Sequence, residues 1–113
     1  MSGGAYLFLN DRVVPADEAS ISPLDRGFLY GGGFFETTRI FNGQPFLLSS
    51  HLERLREACA WAEWENVPGR ERMERDVERL IDANEVANGY LRISLSGGRS
   101  AGGPTLLIQA HDM

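Results

Sequence analysis

The hydrophobic period of this chain changes twice, and that change limits the fold more than any other feature. Near the N-terminus, apolar residues sit in short runs rich in β-formers. From about residue 50 to residue 84 they recur at spacings of three and four. From residue 90 they alternate again. Strands at both ends with two helices between them predict an α+β two-layer domain, a mainly antiparallel sheet with two helices packed on one face. At 113 residues the chain is the size of one ordinary domain with room for a core of its own.

The elements follow from local chemistry. Residues 5–9 and 12–14 are joined by Asn10-Asp11 and predict a hairpin. Residues 16–33 are dense in Gly, Pro, Ser and Asp and read as a loop, with at most a short helical turn near Leu24–Leu29. Residues 34–41 form a strand, Asn42-Gly43 turns it, and 45–48 return as its partner. Within that strand Phe35, Thr37, Arg39 and Phe41 share one face, and Phe34, Glu36, Thr38 and Ile40 the other. Both faces mix polar and apolar groups, so neither Glu36 nor Arg39 is explained by alternation alone. Ser50 with Glu53 fits a capping box opening a helix whose buried stripe is Leu52, Leu55, Cys59 and Ala62. A second helix over roughly 69–84 buries Met73, Val77, Leu80 and Ile81, with Glu71 and Arg75 paired on its solvated face. Residues 90–96 point Leu91, Ile93 and Leu95 inward. The glycine-rich stretch 97–103 is a turn, and 105–109 are the last strand.

Composition excludes several functions. Cys59 is the single cysteine, so the chain has no internal disulfide and no multi-cysteine zinc site. His51 and His111 lack metal-like partners, and His51 reads as a helix-start residue bonding locally. A net charge of −5 argues against nucleic-acid binding. No apolar run reaches membrane-spanning length, and the N-terminus has no secretion-signal pattern, so a cytoplasmic setting is expected. All eleven basic residues are arginine, and there is no lysine. Guanidinium cannot form a Schiff base, so this chain cannot itself hold an aldehyde cofactor covalently.

The arginines are the candidate chemistry. Arg54 stands near a helix start, where it can meet an anion, although a surface pair with Glu57 is the simpler reading. Phe35 and Arg39 share one strand face, and Tyr90 and Arg92 another. Two arginines and two aromatics on an open sheet face suit a carboxylate substrate with an unsaturated ring or chain. Cross-strand pairing with acids such as Glu36 is the alternative.

Three blocks then carry a resemblance. Leu24-Asp25-Arg26-Gly27-Phe28-Leu29-Tyr30-Gly31-Gly32-Gly33-Phe34-Phe35-Glu36-Thr37-Thr38-Arg39, Leu48-Ser49-Ser50-His51-Leu52-Glu53-Arg54-Leu55 and Tyr90-Leu91-Arg92-Ile93 occur in order. Together they resemble the class IV aminotransferases, the fold-type IV pyridoxal-phosphate enzymes. That family includes branched-chain and D-amino acid aminotransferases and aminodeoxychorismate lyases. The resemblance covers about residues 5–110. It implies the family's small N-terminal α+β domain, with Arg54 on the phosphate of pyridoxal 5'-phosphate and Phe35, Arg39, Tyr90 and Arg92 on the substrate side. It further implies a homodimer and an amino-acid-like or chorismate-derived substrate.

The family's catalytic Lys and its pyridine-pairing Glu belong to a larger C-terminal domain. Residues 1–113 are therefore expected to be the N-terminal part of a two-domain enzyme, inactive by themselves. The Phe-Glu-Thr-Thr-Arg run favours a 4-amino-4-deoxychorismate lyase, with an aminotransferase as runner-up. A non-catalytic binding domain is the reading from another class. The enzyme reading expects Arg54 and the other four residues to share one cleft. It also expects an exposed patch of Phe34, Phe35, Tyr90, Trp61 and Trp64 through which the chain self-associates.

Overall fold

The structure, a computed structural model, describes residues 5–99 and 102–113. Its strands are β1 (Tyr6–Leu9), β2 (Arg12–Pro15), β3 (Gly33–Phe41), β4 (Gln44–Pro45), β5 (Gly89–Arg99) and β6 (Gly103–Asp112). They form one sheet in the order β2-β1-β6-β5-β3-β4, every pair antiparallel. The helices are α1 (Arg26–Tyr30), α2 (Leu48–Trp61) and α3 (Arg70–Asn84). The two-layer α+β architecture is the one the hydrophobic periods predict.

The core lies between the sheet and the two long helices. Leu52, Leu55 and Cys59 of α2 and Met73, Val77, Leu80 and Ile81 of α3 pack on Phe8, Ile40, Leu91, Ile93, Leu95, Leu106, Ile108 and Ala110. The expected stripes are therefore the buried ones, with Ala62 half-buried at the end of its row. Both hairpins form at the expected dipeptides. Asn42 and Gly43 take φ values of 52° and 77°, the left-handed geometry that matches strand twist.

Several boundaries differ, each for a local reason. The returning strand after Asn42-Gly43 is only Gln44–Pro45, not 45–48. The Phe46 amide and carbonyl are held by the Arg39 carbonyl and the Thr38 hydroxyl, and Leu47 then turns the chain in a left-handed conformation. Helix α2 thus begins at Leu48, with the Leu47 carbonyl accepting from the His51 amide. Ser50 lies inside the first turn, and the expected Ser50–Glu53 capping box is not formed. On α3 the i,i+4 ion pair is Arg72–Asp76 at 3.2 Å instead of Glu71–Arg75, because Asp76 turns inward. Gly97 and Gly98, expected in a turn, extend β5 through a bulge. Gly98 has φ of 68°, and a Cβ there would run into the Gly103 carbonyl. Residues 100 and 101 of that stretch lie outside the described residues.

Two buried polar side chains tie elements together. Asn84, the last residue of α3, bonds the Tyr6 amide and carbonyl and the Ala110 carbonyl, each at 3.0 Å. Asp25 fastens the otherwise irregular 16–33 segment. Its carboxylate caps α1 through the Gly27 amide at 2.7 Å and accepts from Ser96 at 2.8 Å and Thr105 at 2.5 Å. Burial raises the Asp25 pKa, but the two hydroxyls and the Gly27 and Gly98 amides outweigh it and leave the carboxyl below its ordinary value of 3.8.

A depressed folded-state pKa contributes stability that is present above the unfolded value and is lost as pH falls through the folded one. Asp76 works in the opposite sense, since burial raises its pKa against the pull of Arg72, Arg79 and Arg75. The difference between wild type and Asp25→Asn isolates the Asp25 contribution. Urea midpoints should show the wild type more stable above about pH 4, with the gap closing as pH falls below that. A gap that stays constant down to about pH 2 would exclude the linkage.

Candidate active-site surface on the open face of the sheet

Because α2 and α3 cover one face of the sheet, the pleat sorts side chains into covered and uncovered sets. In the β3–β5 register, Phe35 lies opposite Ser94, Thr37 opposite Arg92 and Arg39 opposite Tyr90. Phe35, Thr37, Arg39, Phe41, Tyr90 and Arg92 are all exposed, while Phe34, Glu36, Thr38 and Ile40 point toward the helices. The expected division of β3 into faces is the one observed.

Four sequence-derived candidates thus share one surface. The Arg92 guanidinium lies 3.9 Å over the Phe35 ring, so its flat face is held while its in-plane N–H groups stay free. Arg39 Nη2 is 3.1 Å from the Met113 sulfur. Among the described residues, neither Arg39 nor Arg92 forms a salt bridge. Cross-strand pairing with Glu36 does not occur, since that carboxylate is on the opposite face. Two cations with free donors can take an anion such as a carboxylate.

Arg54 arrives from the other layer. Its Nη1 is 3.7 Å from Glu36 Oε1, and its side chain is 67% exposed. The Glu57 pairing is not the contact it makes. The single cleft expected for all five residues is not what this chain forms by itself, because Glu36 and Phe35 are adjacent in β3 and point to opposite faces. His51 bonds across to the sheet instead of locally, with Nδ1 2.7 Å from the same Glu36 oxygen. Sequence reasoning missed this pairing, although a carboxylate in the inward phase of a strand was its signal.

The expected aromatic patch divides. Phe35, Tyr90 and Trp61 are exposed, Trp61 at 84%. Phe34 and Trp64 are not part of it: their rings pack on each other at 5.1 Å against the core, since Phe34 is in the inward phase. An apolar cavity of about 440 Å³, lined by Ile21, Phe28, Phe34, Phe35 and Leu95 among others, adjoins the open face. Cys59 is wholly buried, and burial pushes its thiol pKa up, so it belongs to the core. Among the described residues no three metal-ligating side chains gather, and no helix is long and apolar enough to cross a membrane.

Phe34 and Phe35 are neighbours with opposite roles, and denaturant midpoints should separate them. Phe34→Ala should cost about 2–3 kcal/mol, toward the low end for a half-buried ring. Phe35→Ala should cost no more than about 1 kcal/mol, the stacking on Arg92 at an exposed site. Equal losses would contradict the one-sided burial.

Residues 33–112 match the family model described as amino-transferase class IV. Aminodeoxychorismate lyase of Bacillus subtilis is 32% identical over 94% of this chain and 36% of its own length. D-alanine aminotransferase of Staphylococcus aureus is 34% identical over 81% of this chain and 33% of its own. Among solved structures, the branched-chain amino acid aminotransferase from Escherichia coli superposes with a TM-score of 0.87 at 18% identity, covering all of this chain and 42% of that one. A second branched-chain amino acid aminotransferase, complexed with N-(5'-phosphopyridoxyl)-L-glutamate, gives 0.87 at 21% identity, covering 100% and 41%. The chain thus spans about a third of the length of these curated relatives. The matched residues run from β3 through α2 and α3 to β6, and the chain belongs to the class IV amino-transferase family.

Proposed function

We propose that this chain is the N-terminal part of a two-domain pyridoxal-phosphate enzyme and supplies the anion-holding side of its active site. The observation that carries this reading is the pair Arg39 and Arg92, unpaired with any carboxylate among the described residues on an uncovered face, with Arg92 seated on Phe35. Arg92 and Arg39 would receive the substrate carboxylate, with Tyr90 and Phe35 against its unsaturated carbon frame. The cofactor fits Arg54, whose largely exposed guanidinium meets Glu36 through one nitrogen at 3.7 Å and keeps its other donors free for a phosphate. Bound pyridoxal phosphate supplies an electron sink for the electrons released at the substrate carbon. The chain has no lysine, so the residue that bonds the cofactor and moves that proton lies elsewhere in the full polypeptide. The relatives' additional length is consistent with that.

We infer that the reaction is elimination of pyruvate from 4-amino-4-deoxychorismate, giving 4-aminobenzoate for folate synthesis in the cytoplasm. The Phe-Glu-Thr-Thr-Arg run and the similarity to the Bacillus subtilis lyase over most of this chain support it. The similarity to D-alanine aminotransferase favours transamination as the second reading. The full-length polypeptide, loaded with cofactor, should release fluorescent 4-aminobenzoate from 4-amino-4-deoxychorismate. The 113-residue chain should release none. Transfer of the amino group of D-alanine or a branched-chain amino acid to 2-oxoglutarate, without 4-aminobenzoate, would shift the assignment to a transaminase. A native protein no larger than this chain would replace both readings with a non-catalytic binding domain.

Exposed Phe28, Tyr30, Phe35, Phe41 and Trp61 support self-association, with a homodimer as the working form of the full protein. Sedimentation equilibrium of the isolated chain should show a concentration-dependent mass. A constant monomer mass up to millimolar concentration would remove this part of the proposal.

A further inference from the structure

We propose that Glu36, held by His51, is a positioning residue for Arg54 and sets the affinity of that arginine for a phosphate monoester. This rests on the reading that Arg54 takes the cofactor phosphate.

Glu36 stands in the inward phase of β3, between Phe34 and Thr38, with a side chain only 16% exposed. A carboxylate there is costly unless it is satisfied. Both of its side-chain partners come from α2, three residues apart and so on one side of the helix. They divide the work unequally. A carboxylate oxygen only accepts, so the His51 Nδ1 at 2.7 Å carries the proton and makes the short bond. Arg54, at 3.7 Å from the same oxygen, is outside good hydrogen-bond distance and feels mainly the charge.

The contrast with the neighbouring helix is informative. Arg72 spends its Nε on Asp76 at 3.2 Å and a further nitrogen on the Asn10 carbonyl, so its donors are used within the fold. Arg54 is steered and not consumed. A long, largely exposed side chain otherwise loses considerable rotamer freedom when it binds an anion. A half-buried carboxylate held by His51 and lying 3.7 Å from Nη1 restricts that freedom beforehand and leaves the remaining donors to the phosphate. Glu36 also repels a dianion, so the sign of its net effect is a measurable question. The short His51 bond and the half-buried setting argue that restriction prevails.

The test uses the full-length protein with pyridoxal 5'-phosphate and with pyridoxal, which lacks the phosphate. Dissociation constants are read from the absorbance of the bound ring, with inorganic phosphate as competitor. Glu36→Gln should weaken pyridoxal 5'-phosphate by about tenfold, the scale of one charge-assisted contact, and leave pyridoxal unchanged. His51→Gln should produce a similar loss, and the double variant no more than either alone. In an Arg54→Gln background, Glu36→Gln should have no further effect. Unchanged or tighter phosphate binding by Glu36→Gln would overturn the proposal, as would full additivity with Arg54→Gln. If Glu36→Gln does not fold, the His51→Gln and Arg54→Gln pair decides by the same additivity. Failure of the parent reading looks different: Arg54→Gln alone would leave the preference for pyridoxal 5'-phosphate over pyridoxal intact.

Discussion

One-sided burial of the sheet governs this structure. Two amphipathic helices cover one face, and the other carries only the short α1 at the Ser96 end of β5, so the residues of β3 and β5 are assigned their roles by their phase in the pleat. Ile40, Leu91, Ile93 and Leu95 enter the core, and Phe35, Arg39, Tyr90 and Arg92 are left in the open. The antiparallel register then places the two sets of exposed residues side by side, Arg39 against Tyr90 and Arg92 within reach of Phe35. Shifting β5 by one residue would bury its arginine and expose its leucines, which apolar burial forbids. The chemistry of the surface is thus secured by the hydrophobicity of the opposite face.

Apolar burial alone does not fasten every element. The segment before β3 has almost no buried side chain, and what holds it is the Asp25 carboxylate bonded into β5 and β6. Asn84 does the same for the end of α3, where it joins β1 and β6. Glu36 joins β3 to α2 through His51. Each is a polar group in a half-buried or buried place whose cost is offset only when its partners are present. Such groups make the arrangement specific, because a sliding helix or a shifted loop would leave them unpaired.

Much of this was readable beforehand. The stripes Leu52, Leu55, Cys59 and Met73, Val77, Leu80, Ile81 are local periodicities, and both hairpin turns are set by Asn residues that tolerate left-handed backbone. The two faces of β3 and β5 were legible for the same reason. The start of α2 was not: Ser50 and Glu53 suit a capping box, but Leu47 leaves the hairpin in a left-handed turn and the helix has already begun. The inward turn of Asp76 was hidden in a run of charges that reads as solvated. Trp64 looked like a surface aromatic until Phe34 came up beneath it.

The sequence by itself determined the elements, the phases of the strands, the family, and the exclusion of a covalent aldehyde cofactor from a chain without lysine. These are properties of residue type and of spacing within a dozen positions. The tertiary structure alone decided which partners distant side chains meet. Glu36 met His51 and Arg54 instead of Arg39, Asp25 met Ser96 and Thr105 some seventy to eighty residues away, and Arg92 lay down on Phe35. The reason is that hydrogen bonds and ion pairs act over a few ångströms, and chain distance says nothing of that separation until the sheet has closed.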